Sequence, residues 1–76
     1  MKKVEIEWKD ARHLTGWFDE GEVKGTGLAQ VKSTGYLFSK DKDCVRLVLG
    51  YDATEKLYIG VQLIPRSWVT KITELK

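Results

Sequence analysis

Ile64-Pro65-Arg66-Ser67-Trp68-Val69, followed by Thr70-Lys71-Ile72-Thr73-Glu74-Leu75, decides the fold of this chain. An apolar strand meets a proline, makes about one turn and re-emerges as an alternating strand. Pro65 has no N–H to give to a ladder, so it closes the strand before it. That punctuation predicts two strands joined by a one-turn helix, with the last strand over about Val69–Leu75.

Working backwards, Leu57–Ile64 and Cys44–Tyr51 are rich in β-branched and aromatic residues, as strands prefer. Asp52-Ala53-Thr54-Glu55-Lys56 joins them. Ala29–Ser39 is a further strand, with Gly35 near a change of apolar phase, where a bulge or sharp bend is expected. Lys40-Asp41-Lys42-Asp43 is the polar turn after it. At the start, Val4, Ile6 and Trp8 alternate with Lys3, Glu5 and Glu7, the period of a strand with one dry face. The expected fold is all-β, a small five-strand barrel of the SH3-like or Sm-like kind. It has a long first connection and a one-turn helix before the last strand.

That first connection, residues 9–28, contains Gly16, Gly21, Gly25 and Gly27 around the aromatics Trp17 and Phe18. Disordered linkers rarely carry such a cluster, so the loop is expected to pack back onto the barrel. Asp19-Glu20-Gly21-Glu22 reads as a solvated turn or the start of a short helix.

The chain has 76 residues, enough for one domain with a small core. One cysteine, Cys44, and one histidine, His13, exclude an internal disulfide and a Cys/His zinc site. Self-association is the staple that remains, so a homo-oligomer is expected. No stretch is long and apolar enough to export or span, which predicts a cytoplasmic protein without a membrane partner. Net charge is +2, from 13 basic and 11 acidic residues. The lysines are scattered among acids, a mixed surface rather than a nucleic-acid stripe.

Catalytic chemistry is weakly represented. Cys44 with His13 is the one conceivable nucleophile–base pair, and a strand-embedded cysteine is far more often an inert small hydrophobe. Asp19, Glu20 and Glu22, like Asp41 and Asp43, read as turn carboxylates, since no calcium-loop spacing surrounds them. Gly25-Thr26-Gly27 reads as turn glycines, with Gln30 where a phosphate loop needs glycine. Neither a cofactor nor a metal is expected.

Apolar residues exceed what one face needs. With Val45, Leu47 and Leu49 inward, and Leu57, Ile59, Val61 and Leu63 inward, the outer set includes Val48, Tyr58 and Ile64. Either the long loop covers this patch, or it is a subunit interface or ligand surface. Arg46 lies beside Tyr58 in this scheme, and Arg66 lies beside Trp68. Arginines with aromatics can clamp a base and its phosphate. The candidate ligand contacts are Arg12, Trp17, Phe18, Arg46, Tyr58, Arg66 and Trp68, and Trp8 is assigned to the core.

Val4-x-Ile6-x-Trp8-x-Asp10, Thr15-Gly16-Trp17, Ser33-Thr34-Gly35-Tyr36-Leu37 and Ile64-Pro65-Arg66 with Val69, Ile72 and Leu75 span nearly the whole chain. Together they resemble a group of small phage and prophage proteins of about this length. The strand arrangement resembles Sm-like and SH3-like barrels, although the Sm RNA motifs are not recognisable. The phage resemblance implies an accessory protein acting on host machinery, and the missing catalytic residues suit a binding protein rather than an enzyme. One form would be an oligomer sequestering a nucleotide-derived immune signal. Alternatives are a module docking a host or virion protein and an Sm-like nucleic-acid binder.

Overall fold

The computed structural model describes all 76 residues. The strands are β1 (Lys2–Asp10), β2 (Ala29–Lys40), β3 (Cys44–Asp52), β4 (Leu57–Pro65) and β5 (Val69–Glu74). A short helix, α1 (Glu20–Gly25), lies in the first connection, and a 3-10 turn covers Arg66–Trp68. The expected stop at Pro65 and the one-turn link to β5 are both present.

All neighbouring strands are antiparallel, in the order β4-β3-β2-β1-β5. No ladder joins β4 to β5, so the sheet is open where a closed barrel was expected. β4 keeps pairing along β3 while β5 turns back along β1, and the 3-10 turn carries the chain across the seam.

The sheet nevertheless curls. Val4, Ile6 and Trp8 of β1 form one buried cluster with Val45 and Leu47 of β3 and Ile64 of β4, although β1 borders neither strand. Val31, Leu37, Val69 and Ile72 pack around it. Trp8 donates its indole N–H to Ser33 Oγ at 3.1 Å, so its one polar atom is satisfied inside the core. Trp68 stacks beside it, with ring centroids 6.4 Å apart.

Gly35 marks a close approach of strands rather than a bulge. β1 pairs straight through it, and a Cβ there would lie 3.0 Å from the Val48 carbonyl oxygen. The irregularity falls three residues later, between Leu37 and Ser39, leaving Phe38 as the extra residue.

Residues 11–28 do not fold back on the sheet. All are exposed, and α1 buries none of its residues. Asp19 caps the helix by accepting from the Glu22 N–H at 2.8 Å, and Lys24 pairs with Glu20 one turn away. Leu14, Phe18 and Val23 line one shallow depression with Arg12 and Thr26, whereas Leu28, at the loop's end, lies beside Trp68. Trp17 is 101% exposed. The molecule measures 55 × 24 × 22 Å, with a radius of gyration of 16.1 Å. A compact chain of this length would have about 11 Å.

Candidate interaction surface

β4 has no charged residue: Leu57-Tyr58-Ile59-Gly60-Val61-Gln62-Leu63-Ile64-Pro65. Apolar residues occupy both phases of this strand, so alternation alone does not assign its faces. The ladder does. Val45 stands opposite Ile64, and both are completely buried. That register reverses the expected phase. Leu57, Ile59, Val61 and Leu63 are between 58% and 62% exposed, and Leu49 is exposed with them. Ile64 belongs to the core. Val48 is only 3% exposed, flanked in the ladder by Tyr36 and Val61. Of the expected patch, Tyr58 alone is at the surface.

β2 pairs with β3 only over Tyr36–Lys40 and Val45–Val48. Beyond Val48 the β3–β4 hairpin continues as a two-stranded arm, Gly50–Asp52 against Leu57–Ile59, with no third strand. A two-stranded hairpin is marginal by itself in water. The Asp52 side chain holds its turn by accepting from the Thr54 and Glu55 N–H groups, and Lys56 takes a left-handed φ of 58°. Tyr58 forms the arm's aromatic centre. Its ring lies 4.8 Å from Tyr51 and meets Phe38 edge-on at 5.0 Å. Gly60 has φ 62°, and a Cβ there would lie 2.7 Å from Leu49 Cδ1. Leu49 therefore lies across a position that only glycine suits.

With Tyr36, Phe38, Leu49, Tyr51, Leu57, Tyr58, Ile59, Val61 and Leu63, nine large apolar residues are exposed on β2, β3 and β4. Only seven of 76 residues are buried. Exposure on this scale beside so small a core marks an interaction surface.

The two edges of the sheet differ. β5 carries Lys71 and Glu74 and a bulge at Thr70, whose hydroxyl donates to the Glu7 carbonyl. Charge and irregularity blunt an edge against pairing. The β4 edge has neither charge nor an interior proline, and its one irregular residue is Gly60, at φ 62°.

The seven candidate ligand contacts fall in three places. Arg12, Trp17 and Phe18 lie on the projecting loop, where Arg12 donates to the Gly27 carbonyl at 3.3 Å. Arg46 and Tyr58 lie on the hairpin, and Arg46 is engaged. Its guanidinium donates to Ser39 Oγ at 3.2 Å and to Asp41 Oδ2 at 3.0 Å. Asp41 also accepts from the Cys44 and Asp43 N–H groups, and with Arg46 these hold its carboxyl at a pKa of about 2. The same carboxylate raises the pKa of Arg46. Arg46 and Asp41 thus organise the β2–β3 turn.

Arg66 and Trp68 lie on the 3-10 turn. Trp68 leans on Trp8, whereas Arg66 shares a shallow depression of about 240 Å³ with Lys40 and Lys71, and no carboxylate lines it. The three ion pairs of the chain lie elsewhere. Lys40 and Lys71 escaped sequence reasoning because they come from distant strands. On the sheet face opposite the core, Lys71, Glu7 and Lys32 stand side by side, a row of mixed sign. His13 lies on the loop and half-buried Cys44 at the start of β3. No group of three His, Cys, Asp or Glu side chains is arranged to hold a metal ion, and no helix is long and apolar enough to cross a membrane.

No family model, no curated protein and no solved structure matches the chain.

Proposed function

We propose that this chain is a non-enzymatic assembly module that docks a protein through its β3–β4 hairpin. One observation carries the reading: the hairpin runs past β2 as a two-stranded arm whose outer strand, β4, is uncharged, apolar and open along its edge. Such an arm gains both ladder hydrogen bonds and apolar burial when a partner strand is added. The strand order, with a 3-10 turn before the last strand, supports an SH3-like arrangement opened at the β4–β5 seam. The resemblance to small phage proteins makes a host or virion protein the natural class of partner.

A photo-crosslinking residue in place of Leu63, in bacteria expressing the protein, tests this. A discrete protein adduct, to another protein or to a second copy, is the expected result. Absence of any protein adduct, with the same residue at Lys3 as the background control, would overturn the reading.

A second reading rests on the cleft of Lys40, Arg66 and Lys71. Three cations without a lining carboxylate suit a phosphate-bearing ligand, the chemistry a protein that sequesters a nucleotide-derived immune signal would need. Native mass spectrometry of protein purified from defence-active bacteria tests it. An extra mass of nucleotide size, lost in Arg66→Glu, supports sequestration, and a mass without cargo counts against it.

A further inference from the structure

We infer that the first partner of the hairpin is a second copy of this chain, joined β4 to β4 in an antiparallel pair across a two-fold axis at Gly60. This rests on the reading of the hairpin as a protein-docking surface and names its occupant.

Three observations select a second copy. A two-fold interface places each residue against its own surroundings, so a charge near the axis repels its own image. β4 has no charge from Leu57 to Pro65. Self-pairing therefore brings no like charges together within the strand. Its exposed apolar residues are also self-complementary. With the axis at Gly60, Leu57 faces the other copy's Leu63, and Ile59 faces its Val61. All four apolar residues are matched, and Gly60 lies on the axis. Pro65 falls outside the paired stretch, so its missing N–H costs nothing.

The second observation is exposure. Leu57, Ile59, Val61 and Leu63, each 58–62% exposed, stand on one face of β4 and would lie beside the same four residues of the second copy, so pairing covers part of an apolar row that the single chain leaves in water. The third is the contrast between edges. A head-to-tail assembly would join β4 of one copy to β5 of the next, and the charged, bulged β5 edge disfavours that. With only β4 competent, assembly closes at two copies.

Sedimentation equilibrium on the full chain at micromolar concentration, with hydrogen exchange of the β4 amides, tests the inference. The expected result is a dimer whose outward-facing β4 amides exchange slowly. Val61→Lys should convert it to monomer with at least a tenfold rise in those exchange rates and an unchanged circular dichroism spectrum, since Val61 is exposed in the single chain. Lys71→Glu on the β5 edge should leave the dimer intact. Four results would overturn the inference: a monomeric wild type, a ring larger than a dimer, a dimer with fast β4 exchange, or a folded Val61→Lys dimer. A monomer that still forms a protein adduct from position 63 would remove the second copy and leave the docking surface standing. If Val61→Lys unfolds, Ile59→Lys repeats the test from the facing position.

Discussion

Val45 of β3 and Ile64 of β4 are direct cross-strand partners, and neither exposes any surface. This contact sets the phase of β4, for it draws Ile64 into the core and turns Val61 and Leu63 toward solvent. Ile64→Ala should therefore destabilise the protein by about 2–5 kcal/mol through the cavity it leaves. Leu63→Ala, one residue earlier, should change stability by only about 0.5 kcal/mol in the monomer. Urea unfolding of both variants at a concentration where the chain is monomeric checks the pair.

The Asp41 carboxyl titrates at about 2 rather than its ordinary 3.8, chiefly because the Cys44 and Asp43 N–H groups and then Arg46 favour its charged form. A depressed folded-state pKa stabilises above the unfolded value, and that contribution fades as pH falls through the folded one. Asp41→Asn should therefore be less stable than wild type at neutral pH. The gap should narrow between about pH 4 and pH 2. Urea midpoints across that range, with carbon-13 titration of the Asp41 carboxyl, give the readout.

Gly60 cannot take a side chain without meeting Leu49. Its left-handed φ adds a backbone penalty of roughly 1–2 kcal/mol for any other residue. Gly60→Ala should destabilise by more than that penalty, and adding Leu49→Ala should recover the steric part. A double-mutant cycle measured by thermal unfolding would show the coupling.

Trp8 and Trp17 occupy opposite extremes of exposure. Trp8→Ala should cost about 3–5 kcal/mol, losing a core ring and its bond to Ser33. Trp17→Ala should leave the unfolding midpoint unmoved within about 0.5 kcal/mol.

The strands were legible because their signals are local. Val4, Ile6 and Trp8 alternate against charged neighbours, which leaves one choice of face, and Pro65 ends its strand by chemistry alone. β4 offered no such choice, because Ile64 and the set from Leu57 to Leu63 are all apolar. Only pairing with Val45 distinguishes them, and pairing is not a local property. The cleft of Lys40, Arg66 and Lys71 was hidden for a similar reason, since its members converge only when the sheet curls. The open seam has another origin. Whether five strands close depends on how far β4 follows β3, and the uncharged run that favours this also reads as a core strand. The loop stays off the sheet although Trp17 and Phe18 read as core material, since Leu14, Phe18 and Val23 line a shallow depression of their own and Trp17 stands outside it.

The stacking of Trp8 on Trp68 couples β1 optically to the link between β4 and β5. Two indoles at 17° give the folded chain a near-ultraviolet signature that disappears if the 3-10 turn lifts away from β1. Trp17, in full contact with water, emits apart from them and is open to iodide quenching. The chain therefore carries its own pair of reporters, one for the docking of the 3-10 turn on β1 and one for whatever approaches the loop, with no dye required.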